Sequence, residues 1–157
     1  MSGGLDDLRD LYQDVILDHG RHPRHGHRPA AFDATAKGDN PMCGDRVEVF
    51  VRHTPDGTIG DVGFEARGCA ISIASADLMA ETVAGRRPAE ARALFTAFRA
   101  LARTGACPDC DPALGAPLER LAPLAGVHEY PSRVKCATLP WHALIAALDG
   151  AKEASSE

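Results

Sequence analysis

The first apolar stripe runs through Leu5, Leu8, Leu11, Tyr12, Val15 and Ile16 at three- and four-residue spacing. It predicts a helix that ends near Gly20, with Pro23 shortly beyond. Residues 46–52 instead alternate polar and apolar, Thr54-Pro55-Asp56-Gly57 is a turn signal, and 58–66 returns with Ile59, Val62, Phe64 and Ala66 apolar. A shorter strand over about 32–37 pairs with the first of these. After Gly68-Cys69 the period becomes helical, with Ile71, Ala74, Leu78, Met79 and Val83 on one face, closed by Gly85 and Pro88. A further helix covers about 89–104, with Leu94, Phe95, Phe98, Leu101 and Ala102 inward. Residues 105–130 are irregular apart from a short helical piece near 118–124. A last helix runs over about 132–148, where Pro140 predicts a kink or a late start. The expected fold is α+β, a small antiparallel three-stranded sheet packed against helices, forming one domain over 1–157. Its termini are expected to be disordered at about 1–4 and 150–157. There is no internal repeat.

Composition narrows the function classes. The chain has 157 residues, enough for a core without staples, and 45% of them are hydrophobic, as in ordinary globular proteins. Acidic residues outnumber basic ones, 22 to 17, giving a net charge of -5, which argues against nucleic acid as the main partner. No apolar run approaches the roughly 20 residues of a membrane span. The N-terminal residues have neither the basic nor the apolar region of a signal peptide, so a cytoplasmic location is expected, where thiols stay reduced. Five cysteines, an odd number, do not suit a complete disulfide framework.

Three of those cysteines occupy settings suited to one metal. Cys43 stands in Asn40-Pro41-Met42-Cys43-Gly44-Asp45, Cys69 in Arg67-Gly68-Cys69-Ala70-Ile71-Ser72, and Cys136 in Arg133-Val134-Lys135-Cys136. Gly44 allows a tight turn, so Cys43 and Asp45 can face a common centre. Cys69 precedes a helix and Cys136 lies in or near the first turn of another, positions where the helix dipole favours a thiolate. Three thiolates and a carboxylate are four anionic donors, the number a tetrahedral zinc site takes. A carboxylate is a harder ligand than a fourth Cys or a His, which points to a site meant to open. Four anionic ligands around a dication leave an excess of negative charge that Arg133 and Lys135 temper. Any one of these cysteines alone reads as a buried apolar residue sooner than as a ligand, and the three settings together reverse that.

Two other groups leave several readings open. His19, His22, His25 and His27 lie in or beside a Gly/Pro-broken stretch with three arginines, which suits a solvated basic loop, a docking patch or a metal site. Cys107-Pro108-Asp109-Cys110 is a lone C-x-x-C pair without a second pair or a thioredoxin-like setting. Reduced loop thiols, an accessory metal or redox role, and a sulfur relay all fit it.

The three cysteine blocks, the last continued by Ala137-Thr138-Leu139, together resemble the signature blocks of the U-type iron–sulfur assembly proteins (SufU and IscU). Leu11-Tyr12-Gln13-Asp14-Val15-Ile16-Leu17-Asp18-His19 and His22-Pro23-Arg24 resemble the same family, so the likeness spans roughly residues 5–148. IscU-like scaffolds carry a His directly before the last Cys, where this chain has Lys135. A lysine, with a reference pKa of about 10.4, is protonated and offers no lone pair to a metal. The long interval from Cys69 to Cys136 also resembles the SufU branch. The resemblance implies a zinc-dependent sulfurtransferase that takes persulfide sulfur from a SufS-like cysteine desulfurase and passes it to downstream iron–sulfur assembly components. It implies Zn²⁺ on Cys43, Asp45, Cys69 and Cys136, with Cys43 as sulfur acceptor. A desulfurase histidine would take the place of that thiolate on the metal, and Arg133 and Lys135 would help dock the partner. The alternatives are a scaffold holding a nascent [2Fe–2S] cluster on the same ligands, or a structural zinc module without enzymatic activity.

Overall fold

The structure is a computed structural model that describes residues 4–41, 44–107 and 110–155. Three strands follow the first helix α1 (Gly4–Arg21): β1 (Ala34–Asn40), β2 (Asp45–His53) and β3 (Ile59–Arg67). β2 pairs antiparallel with both neighbours. Its alternation directs Val47, Val49 and Val51 to the core, as side chains two apart share a face. Phe50 points the other way and is still buried, covered by the Phe32 ring at 5.0 Å and the Arg28 guanidinium at 5.3 Å.

The sheet has one strand more than the sequence predicts. β4 (Glu153–Ser155) runs parallel to β1 over Lys37–Asp39, giving a four-stranded mixed sheet in the order β3-β2-β1-β4. The expected three-stranded antiparallel sheet is thereby corrected. The cause is the open edge of β1, whose N–H and C=O groups seek partners. Lys37 donates its N–H to the Lys152 carbonyl at 2.9 Å, and the tail continues the ladder where disorder is expected. At the opposite edge, the segment after α1 covers β3, with the Phe64 N–H donating to the His25 carbonyl at 3.1 Å.

Four more helices follow: α2 (Ala70–Val83) and α5 (Pro131–Leu148), which pack on the sheet, and α3 (Pro88–Thr104) and α4 (Gly115–Leu121), which pack on other helices. A 3₁₀ stretch, Ala122–Glu129, joins α4 to α5. α5 packs on β1 and β2, and α2 lies between α1, β3 and α5. That central position explains why α2 is buried on most sides, including Ser72, Ser75 and Asp77. Trp141 of α5 anchors the far end of the core, stacked on Phe98 of α3 with ring centroids 5.1 Å apart. Pro140 sits inside α5 rather than delaying its start. The helix begins instead at Pro131, a position where the missing N–H costs nothing.

Among the described residues, no helix is long and apolar enough to cross a membrane.

Candidate metal centre

Asp45 is the first residue of β2 and its side chain is 0% exposed. The turn before it closes at Gly44, whose φ of 71° lies in the left-handed region that glycine accepts without strain. Cys69 is the N-cap of α2, with extended backbone at φ -76° and ψ 161°. Its own N–H donates to Asp45 Oδ1 at 2.9 Å, and its Sγ lies 3.9 Å from Asp45 Oδ2. Gly68 permits this approach, because a Cβ there would lie 2.0 Å from Asp45 Oδ1. Cys136 reaches the same point from α5, fully buried, with its Sγ 3.8 Å from the Ser132 carbonyl.

One oxygen of Asp45 and the sulfurs of Cys69 and Cys136 lie within 4.8 Å of one another. In a tetrahedral zinc site, thiolate sulfurs about 2.3 Å from the metal stand about 3.8 Å apart, so the three need only a small closure. The donor set fits a zinc ion on a second ground. Among the described residues no Lys, Arg or His forms an ion pair with Asp45. A buried carboxylate facing two thiols with no protein cation is costly unless a metal supplies the positive charge. Cys43, the fourth sequence candidate, lies outside the described residues.

The structure revises several surroundings of this centre. α5 begins at Pro131, so Cys136 sits in its second turn rather than at its exposed N–H groups, and only Cys69 has a helix start behind it. Arg133 and Lys135 are exposed residues of the first α5 turns, and Lys135 lines a separate basic cavity between α3 and α5. Cys107 and Cys110 bring their sulfurs into pairing contact. Their close spacing in one turn brings the sulfurs together, with Cys110 N–H donating to the Cys107 carbonyl at 3.3 Å.

The histidine segment is also not simply a solvated loop. His19 Nδ1 bonds Asp77 Oδ2, the His25 N–H donates to Asp77 Oδ1 at 2.8 Å, and His25 Nε2 lies 3.7 Å from Glu81 Oε1. His22 and His27 stay exposed. The ligand atoms of His19, Asp77 and Glu81 form a second group within 4.8 Å. Both Asp77 oxygens already accept protein N–H groups, so this cluster fastens α1 and the following segment onto α2. The sequence carries a signal for it: Asp77 is the one charged residue between Cys69 and Ala80. A carboxylate within so apolar a helix requires a partner.

Comparison with known proteins places these residues in a wider set. The NifU-like N terminal domain family matches residues 11–137. The chain is 36% identical over 140 residues to the iron-sulfur cluster assembly scaffold protein IscU of Streptococcus pyogenes serotype M1, covering 89% of this chain and 84% of that protein. It is 33% identical over 138 residues to the zinc-dependent sulfurtransferase SufU of Bacillus subtilis, covering 87% of this chain and 88% of that protein. The crystal structure of FiSufU from Fervidobacterium islandicum AW-1 superposes with a TM-score of 0.74 at 30% identity, covering 89% of this chain and 98% of that one. The related proteins thus bear two functional names, scaffold and sulfurtransferase, on one fold.

Proposed function

The chain belongs to the NifU-like N-terminal domain family, the U-type proteins of iron–sulfur cluster assembly, and from that premise we propose that it is a zinc-dependent sulfurtransferase. The observation that carries this reading is the buried Asp45 carboxylate, set at metal-ligand spacing against the Cys69 and Cys136 sulfurs. A site of thiolates plus a carboxylate, with no His, suits zinc held at one hard and several soft donors. Zinc bound there would keep the cysteine sulfurs deprotonated at neutral pH.

Asp45, Cys69 and Cys136 come from β2, the start of α2 and α5, three elements packed around one core. They form the fixed part of the site. Cys43 stands in the segment that joins β1 to β2, and it is the sulfur acceptor in this proposal. Its thiolate attacks the terminal sulfur of a persulfide carried by a cysteine desulfurase. The sulfur–sulfur bond of the donor breaks, a new one forms on Cys43, and the desulfurase cysteine leaves as a thiolate. No outside oxidant or reductant is required. Arg133 and Lys135, exposed in the first turns of α5, offer positive charge for docking that partner, Lys135 from the cavity between α3 and α5.

The name of the streptococcal relative supports a second reading, a scaffold for a nascent cluster on the same donors. One experiment separates them. The protein is incubated with a cysteine desulfurase and cysteine, and the products are mapped by mass spectrometry. The proposal expects one added sulfur on Cys43 and faster turnover by the desulfurase, both lost in Cys43→Ser. Unchanged transfer in Cys43→Ser would overturn the acceptor assignment.

A further inference from the structure

A second chemical feature lies between α3, α5 and the 3₁₀ stretch, which line a half-open cleft of about 290 Å³. Arg99 and Arg103 line it from α3, His128 from the 3₁₀ stretch, and Lys135 and His142 from α5. No carboxylate lines it among the described residues. The arginines are one helical turn apart, a spacing at which like charges repel. Among the described residues neither they nor Lys135 forms an ion pair.

The chain as a whole carries a net charge of -5. Arg24, Arg46, Arg86 and Arg92 each face a carboxylate, whereas this cavity brings two arginines, a lysine and two histidines together without one among its lining residues. Its field is felt by His142, whose basicity burial lowers first and Arg99 and Arg103 lower further. The walls are also set in place beforehand. The His128 ring packs on Gly105 at the end of α3, where an added Cβ would lie 2.9 Å from the ring, and its Nδ1 bonds the Ala125 carbonyl at 2.8 Å.

We propose that this cavity binds a small polyvalent oxyanion, a molecule bearing phosphate or several carboxylate groups. Guanidinium groups one turn apart can each grip an anion by paired N–H donors, and Lys135 adds a point charge. The lining by three elements and the volume, near the lower end of the roughly 300–1,000 Å³ of small-molecule sites, favour a compact ligand over a polypeptide. This inference uses none of the proposed metal ligands and shares only Lys135 with the docking role proposed above.

The test titrates the zinc-loaded full chain with inorganic pyrophosphate at low salt, following the His128 and His142 imidazole resonances by NMR and checking zinc content afterwards. Saturable shifts of both rings are expected, with a submillimolar Kd. Arg103→Gln, at an exposed position, should weaken binding about tenfold, and Arg99→Gln with Arg103→Gln further, with the thermal midpoint unchanged. Absence of saturable shifts at millimolar pyrophosphate, or equal affinity in Arg103→Gln, would overturn the proposal. Tighter binding of a poly-glutamate peptide than of pyrophosphate would also overturn it, in favour of an acidic protein segment.

Discussion

Asp45→Asn should make the metal-free protein more stable while removing most of its affinity for zinc. The two effects have opposite signs because one carboxylate causes both. Asp45 is 0% exposed and faces the Cys69 and Cys136 sulfurs, so a carboxylate charge there lies out of water with no ion pair to a Lys, Arg or His among the described residues. Asn keeps the shape and can still accept the Cys69 N–H that Asp45 Oδ1 accepts at 2.9 Å, so Cys69 stays anchored before α2. Relief of the buried charge is expected to stabilise the metal-free form by about 1–3 kcal/mol. For a chain of this size that raises Tm by about 2–4 °C per kcal/mol. A neutral amide is a poor zinc ligand. Replacing groups that merely orient ligands weakens metal affinity about 10–100-fold, so losing a ligand should cost about 100-fold or more. Thermal melts with and without zinc, together with a competitive chelator titration, measure both effects. A lower metal-free Tm with unchanged zinc affinity would make Asp45 an anchor for the Cys69 backbone and nothing more.

The second large effect lies away from the metal. Asp77 is 0% exposed and holds His19 Nδ1 and the His25 N–H at once. Asp77→Ala leaves those donors facing a buried void, and breaking such a pair from one side costs about 3–5 kcal/mol. The expected fall in Tm is about 6–20 °C, with faster amide exchange along α1. Glu81→Ala is the control. Its contact with His25 is 3.7 Å long and both side chains are about a quarter exposed, at 26% and 28%, so the loss should stay under about 1 kcal/mol. Equal effects from the two substitutions would mean that α1 is held by its apolar contacts and not by Asp77.

What the sequence reveals depends on how local each determinant is. The β2–β3 hairpin is legible because Val47, Val49 and Val51 alternate with polar residues and a Thr-Pro-Asp-Gly turn follows. The N-capping place of Cys69 is legible because Gly68 precedes it and a helical period follows. By contrast β4 is three residues of an otherwise polar tail, and it exists because β1 leaves an edge open. The coupling of His19 and His25 to Asp77 spans more than 50 residues of sequence and appears only when α1 packs on α2. Asp45 lies between these extremes. Its spacing from Cys43 makes it a candidate ligand, but its burial without a cation is a property of the folded chain.

The central claim is that Asp45, Cys69 and Cys136, with Cys43, form a zinc centre used for sulfur transfer. The most direct measurement is the zinc, iron and acid-labile sulfide content per chain, on protein purified anaerobically without a metal-binding tag. The account predicts one zinc per chain and no sulfide. Iron and sulfide bound with little zinc would contradict it and make the protein a cluster scaffold.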